Sequence, residues 1–212
     1  MLNHFAMTHW NHREAAEITT FNEAVAPPGV SPYLPGHGPT SDVAVLPYDP
    51  AWPAVYEELA AKVRAALGSQ VLALEHVGST SVPGLAAKPT IDIDLTVADG
   101  TDEGSYVPAL ERHGFTLVIR EPWWYEHRLL RHSRPIGNLH VWSPGCPEPA
   151  RHIIFRDWLR DHADDRDLYV REKHAAAHRT RLSRGDVVDY NERKRDAIRE
   201  IYARAFAALG LT

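Results

Sequence analysis

Residues 76–95 read His-Val-Gly-Ser-Thr-Ser-Val-Pro-Gly-Leu-Ala-Ala-Lys-Pro-Thr-Ile-Asp-Ile-Asp-Leu, and they constrain this 212-residue chain more than any other stretch. An apolar strand runs into a Gly-Ser turn, and a second strand about a dozen residues later carries two carboxylates, Asp92 and Asp94. Side chains alternate along a strand, so the two acids share one face while Ile91, Ile93 and Leu95 enter a core. Neighbouring carboxylates repel each other and lose hydration together. That cost is tolerated where a divalent cation, typically magnesium (Mg2+), sits between them. A glycine turn facing such a pair suits the phosphates of a nucleotide.

The rest of the chain sets the frame for this segment. Its length suffices for one domain with a substantial core, or for one domain with a helical extension. A composition 44% hydrophobic and 24% charged is that of a soluble globular protein. The formal charge of -5 argues against a broad nucleic-acid-binding surface, while leaving room for a local basic groove. No apolar run reaches the length of a membrane span, and the N-terminus lacks a signal-peptide pattern. One cysteine, Cys146, cannot close an internal disulfide and has no base at a telling spacing. The expected compartment is the cytoplasm.

Residues 1–42 read as a flexible N-terminal extension. Proline and glycine crowd residues 27–39 and forbid regular structure there, and residues 13–23 form a short candidate helix. His4, His9, Trp10 and His12 precede it and would serve a metal- or partner-binding arm, if the arm has a role. Residues 43–212 read as one domain. Val43 to Leu46 forms a strand, and Asp49-Pro50 supplies an N-cap with proline at the first helical position. Val55, Leu59, Val63 and Leu67 mark a helix that Gly68 closes. Strands follow over 71–77 and 91–97, then a helix over 107–113. Three more strands are expected over 115–120, 124–130 and 138–142. From about residue 149 the pattern is helical, with Ile153, Ile154, Trp158 and Leu159 on one face and further helices over 168–182 and 187–209.

Known phosphate and hydrolase motifs fail on spacing. Lys88 lies four residues beyond Gly84 and precedes a proline, which no P-loop allows. A Gly-x-Gly-x-x-Gly fingerprint, a His-Glu-x-x-His zinc motif, a Cys-x-x-Cys pair and a Gly-x-Ser-x-Gly elbow are all absent from the sequence.

Gly78-Ser79 followed by Asp92-Ile93-Asp94 resembles the signature of the nucleotidyltransferase superfamily that includes DNA polymerase beta. The longer string from Glu75 to Ile93 resembles the hallmark of the GrpB family, a bacterial group assigned to that fold. Tyr48-Asp49-Pro50-Ala51-Trp52, Asn138-Leu139-His140-Val141 and Phe155-Arg156-Asp157-Trp158-Leu159-Arg160 resemble further family elements, as do Tyr190 and Lys194. The resemblance covers residues 43–206. It implies an α+β fold: a nucleotidyltransferase-like mixed sheet with flanking helices and a helical C-terminal part.

Through the wider superfamily, the resemblance also implies a mechanism. Gly78, Ser79 and Thr80 would contact the phosphates of a nucleoside triphosphate, and Lys88 could add a positive charge. Asp92 and Asp94 would hold Mg2+, and a nucleotidyl group would pass to a small-molecule or protein acceptor. Active superfamily members place a third carboxylate on a later strand. Here the matching strand offers His140 on the face it shares with Asn138 and Trp142, as a base or a metal ligand. Glu121 and Glu126 are candidate substitutes without a spacing argument. The alternative is a non-catalytic module binding a nucleotide or a coenzyme-A-related ligand, since GrpB-like domains occur fused to dephospho-coenzyme A kinase.

The remaining candidates have everyday readings beside functional ones. His76 could line the site or bind the loop backbone, and Arg128 could reach phosphate or stay solvated. Phe155-Arg156-Asp157 could meet a substrate or, as a packing and ion-pair element, join the helical part to the sheet. Trp123-Trp124-Tyr125 could stack a base or pack a core. His152, His162, His174 and His178 read as surface residues of helices.

Overall fold

The computed structural model describes residues 12–22, 25–41 and 43–212. His4, His9 and Trp10 lie outside the described residues. A first helix, α1 (His12–Thr19), precedes the main body. Five strands follow: β1 (Ala73–Val77), β2 (Ile91–Thr96), β3 (Phe115–Glu121), β4 (His127–Ser133) and β5 (Ile136–Trp142). They form one mixed sheet in the order β1-β2-β5-β4-β3. β2 and β5 run parallel at its centre, and the other neighbours pair antiparallel. Helices α2 (Trp52–Leu67) and α3 (Glu103–Glu111) cover one face. Four helices complete the chain: α4 (Pro147–Asp161), α5 (Ala163–Leu182), α6 (Val187–Arg193) and α7 (Arg195–Ala208). This is the expected nucleotidyltransferase-like α+β arrangement with a helical C-terminal part.

Strand alternation sorts residues as the sequence pattern requires. Ile91, Ile93, Leu95, Leu139 and Val141 point to one side and pack with Leu59, Val63, Leu67, Tyr106 and Leu110 from α2 and α3. Burying such side chains gives roughly 1.5–3 kcal/mol each, so this layer anchors the sheet. The opposite face carries the polar groups. A second cluster joins α4, α5 and α7 through Ile154, Trp158, Tyr169, Ile201, Tyr202 and Phe206, and it takes in Val82 and Leu85 from the loop after the Gly-Ser turn. That loop is therefore pinned between the sheet and the helical part.

Several expectations change in detail. Residues 43–46 do not form a strand: Leu46 makes a single bridge to Ala87, while Val43 is buried beside Ala176, Ala177 and Tyr190. Pro47 follows at once and cannot extend a ladder. Asp49 caps a turn through Ala51 N–H, and α2 begins at Trp52, with Pro53 in its first turn. The fourth strand starts at His127 rather than Trp124. Tyr125 and Glu126 have φ of 51° and 54°, and left-handed residues make the hairpin turn instead. The last helix is broken at Lys194 (φ -106°, ψ 1°), which separates α6 from α7.

The described part of the N-terminal segment lies on the domain. Ile18 is buried, and Arg151, with no exposed surface, donates to the carbonyls of Glu17, Ile18 and Thr20 and pairs with Glu148. Farther along, Tyr33 bridges to Ile119 and covers the outer edge of β3, leaving fewer backbone groups open to edge pairing. Among the described residues no helix is long and apolar enough to cross a membrane.

Candidate functional site

Gly78 closes β1 with φ 69° and ψ -172°, a conformation essentially reserved for glycine. The chain then turns through a short 3-10 segment, Ser79–Ser81, held by Ser81 Oγ donating to Gly78 O at 2.5 Å. The turn sits directly over the acids: a Cβ at position 78 would lie 2.6 Å from Asp92 Oδ2. The Gly-Ser turn thus packs directly against Asp92, on the strand that also carries Asp94.

Register fixes what else faces it. Asp92 lies opposite Asn138, Asp94 opposite His140, and Thr96 opposite Trp142. Across β4, Leu129 stands opposite His140, and His127 in turn stands opposite Glu121 of β3. Residues directly opposite share a face. The polar face therefore carries Asp92, Asp94, Asn138, His140, Trp142, His127 and Glu121 together.

The two acids have different surroundings. Asp92 is about one-third exposed; its Oδ1 accepts from Asn138 Nδ2 at 2.9 Å and lies 3.9 Å from His140 Nε2. Burial works to raise its pKa, yet the hydrogen bond and charge of a protonated His140, the Asn138 amide and Lys88 outweigh burial and hold it below the usual carboxylate range. Asp94 is buried, accepting from Trp142 Nε1 at 2.9 Å and from His152 Nδ1 at 2.8 Å. Burial again opposes ionisation, and the His152 charge and hydrogen bond overcome it, so Asp94 stays ionised. The partnership acts on His152 in return: against burial, Asp94 lifts its pKa to about 9.

His152 corrects the surface reading of the helical histidines. Helical spacing within α4 gave no sign of it, because its partner arrives from β2 through tertiary packing. His174 and His178 are exposed, as read, and His162 stacks on Trp158. His76 belongs to the opposite face. It lies across from Ile93, stacks on Tyr56 at 4.6 Å and meets Thr80 Oγ1 at 3.1 Å, and burial lowers its pKa to about 4. It braces the turn from behind. Thr80 is buried and its hydroxyl donates to Thr90 O, while Ser79 and Thr80 both line the cavity beside the turn.

Cations converge from three segments. Ser79, Lys88, Asp92 and Asn138 line a small cavity of about 70 Å³ together with Lys173 of α5 and Lys194 at the α6–α7 break. Lys173 is almost fully buried, donates to Ala86 O at 2.5 Å, and has its pKa pushed well down by burial and by Lys194. Lys173 had a readable signal: it shares an inward stripe of α5 with Tyr169, Ala176, Ala177 and Thr180, where a lysine is out of place. The cavity opens into a cleft of about 620 Å³ that reaches His140, Arg131 and His152. A second pocket of about 290 Å³, walled by Phe21, Phe155, Tyr169 and Tyr202, shares Gly78 and His152 with the cleft.

Other candidates resolve simply. Arg128 turns away to Glu103 (2.6 Å), and Arg156 ties α4 to β1 through Glu75 and His76 O, the joining role expected of Phe155-Arg156-Asp157. Trp124 packs on His127 and Trp142 as part of the wall. Glu126 lies on the hairpin turn near Arg128 and away from the acids. Burial pushes the Cys146 thiol up to about 12, which keeps it protonated.

Glu121 is the unusual carboxyl here, its pKa raised by burial to about 7 despite the opposing effect of His140. A raised folded-state pKa means that its stabilising contribution is complete below the ordinary value of 4.5 and is lost as pH rises through about 7. Glu121→Gln is expected to leave the melting temperature unchanged near pH 4.5 and to raise it at pH 8, by about 1–2 kcal/mol of stability. Calorimetric melts of both proteins across that range measure it, and a variant less stable at pH 8 would refute the assignment.

Comparison with known proteins gives a consistent picture. A family model described as GrpB protein matches residues 42–204. A UPF0157 protein of Halalkalibacterium halodurans is 48% identical over 168 residues, covering 79% of this chain and 84% of its own. One from Streptomyces coelicolor is 41% identical, covering 79% and 86%. A dephospho-CoA kinase of Mycolicibacterium paratuberculosis is 29% identical, and the match spans 77% of this chain but 46% of the kinase. The crystal structure of conserved protein GrpB from Enterococcus faecalis superposes with a TM-score of 0.66 at 28% identity, covering 78% of this chain and 98% of that one.

Proposed function

The chain belongs to the GrpB family, and we propose that it transfers a nucleotidyl group from a nucleoside triphosphate to a hydroxyl or amine of an acceptor. The observation that carries this reading is the acid pair of β2 facing the Gly78-Ser79 turn, with Lys88, Lys173 and Lys194 lining the same cavity. Anionic phosphates suit the turn and the ammonium groups of Lys88 and Lys194. The acids would otherwise repel the same phosphates, and a cation between them removes that conflict.

The donor set fits Mg2+. Two carboxylates supply hard oxygen ligands, and Asp94 keeps a second lone pair on each oxygen beyond those used by Trp142 and His152. Magnesium is commonly held by one or two carboxylates with substrate phosphates completing the shell. Among the described residues no cluster of three or more His, Cys, Asp or Glu ligands occurs, so substrate phosphates and water would have to complete the shell. When bound, the ion supplies charge neutralisation at the phosphate oxygens. Ser79 and the lysines orient the triphosphate tail, Asn138 and His152 hold the two acids in place, and His140 faces the space beside Asp92 where an acceptor would lose its proton.

A second reading draws on Asp94 itself. With both oxygens hydrogen-bonded and 2% exposure, Asp94 is already satisfied without a metal, as a non-catalytic module binding a nucleotide or coenzyme-A-related ligand would have it. The similarity to proteins named dephospho-CoA kinase favours that ligand class. The two readings separate in one experiment. Thermal stabilisation and pyrophosphate release are followed with each nucleoside triphosphate and with dephospho-coenzyme A, with and without Mg2+. Transfer predicts Mg2+-dependent pyrophosphate release; stabilisation without release selects the binding module.

A further inference from the structure

Among the described residues no third carboxylate joins the acid pair in a ligand cluster, yet a carboxylate reaches it through two imidazoles. Glu121 Oε2 lies 2.6 Å from His127 Nδ1, and His127 Nε2 lies 3.0 Å from His140 Nδ1. The rings stack with centroids 5.2 Å apart, and Trp142 stacks on His127 at 4.5 Å. His127 is 3% exposed, so water does not compete for these bonds.

The direction of the chain follows from valence. An ionised Glu121 has no hydrogen to give, so His127 carries its proton on Nδ1. Its Nε2 is then a lone pair that can only accept, so His140 donates from Nδ1. In the neutral ring that leaves a lone pair on Nε2, the atom 3.9 Å from Asp92 Oδ1. A lone pair facing a carboxylate oxygen is unfavourable alone. It becomes favourable when a hydroxyl proton or a cation enters between them.

We propose that Glu121 and His127 are positioning residues that lock His140 in its Nδ1–H tautomer, presenting a nitrogen lone pair beside Asp92 in place of a third carboxylate. The role rests on the transfer reading above. Among the described residues, the groups near this chain include Tyr33 beside Glu121, Arg128 next to His127, and Asp94 and His152 facing the rings. Protonating Glu121 would reverse every bond and place a hydrogen on His140 Nε2, so the arrangement requires the ionised acid.

Two measurements test it. Nitrogen-15 NMR of histidine-labelled protein at pH 8.5, with His127→Gln and His140→Gln for assignment, reads the tautomers directly. The expected result is an Nδ1 proton on both rings; an Nε2 proton on either overturns the proposal. Steady-state pyrophosphate release then reads the role. Glu121→Leu is expected to lower kcat by roughly 10–100-fold with KM nearly unchanged, and Glu121→Gln, whose Oε1 still accepts from His127, to recover most of it. Unchanged kcat in Glu121→Leu, or equal loss in both variants, overturns positioning. Absence of release by the wild-type protein removes the transfer reading and the role in it, while the Nδ1 protons would still be seen.

Discussion

Asp92→Asn is expected to abolish Mg2+-dependent pyrophosphate release, by about a thousandfold or more, while the protein melts at nearly its wild-type temperature. The amide has almost the shape of the carboxylate, and Oδ1 can still accept from Asn138 Nδ2. What is lost is one negative charge at the point where the metal would be held. A thousandfold in rate corresponds to roughly 4 kcal/mol of transition-state stabilisation, a reasonable share for a ligand to the charge-neutralising ion. Stability should fall only slightly, because the attraction to His140 and Lys88 is lost while the shape and the Asn138 hydrogen bond are kept. Asp94→Asn is a poorer probe, since it also removes the main partner of the His152 imidazolium. Stopped-time assays with matched melting curves check the result. Retained release in Asp92→Asn would remove Asp92 from the chemistry.

Gly78→Ala should damage both the fold and the site. The turn has φ 69° and ψ -172°, which an alanine adopts only under strain, and the new Cβ would press on Asp92 Oδ2 at 2.6 Å. Strain of this kind costs roughly 1–3 kcal/mol, and the contact adds to it. For a chain of this length a loss of about 3 kcal/mol lowers the melting temperature by roughly 6–12 °C. Relaxation can only separate the turn from the acids, so triphosphate-induced stabilisation should vanish as well. Differential scanning calorimetry with and without nucleotide measures both effects. An unshifted melt would mean that the turn rearranges freely and does not form a fixed phosphate cradle.

The fold and the heart of the site were legible in the sequence because both arise from short-range patterns. The alternation in Ile91-Asp92-Ile93-Asp94-Leu95 sets which side chains are core and which are site, and Gly78 marks a turn only glycine tolerates. The helical run after residue 149 was equally clear. The misplacements follow from local competition. Residues 43–46 have strand-forming side chains but no neighbouring strand, and Trp124 and Tyr125 have strand-favouring rings while Tyr125 and Glu126 take left-handed backbone. The hidden part of the site is tertiary. His152 meets Asp94 across 58 positions, and Asn138 meets Asp92 across 46, distances over which no spacing rule operates. Glu121 and His127 are close in sequence, but their alignment with His140 depends on the register of three strands. Lys173 alone left a usable trace, a charged residue on the buried stripe of its helix.

The central claim is that Asp92 and Asp94 hold a divalent cation together with a nucleoside triphosphate. Electron paramagnetic resonance of Mn2+, used in place of Mg2+ and titrated with a non-hydrolysable triphosphate analogue, tests it most directly. The wild-type protein should immobilise one equivalent of Mn2+ only when the analogue is present, and Asp92→Asn should not. If Mn2+ stays free in the wild-type protein with saturating analogue, or binds Asp92→Asn equally well, the acid pair is not a metal site.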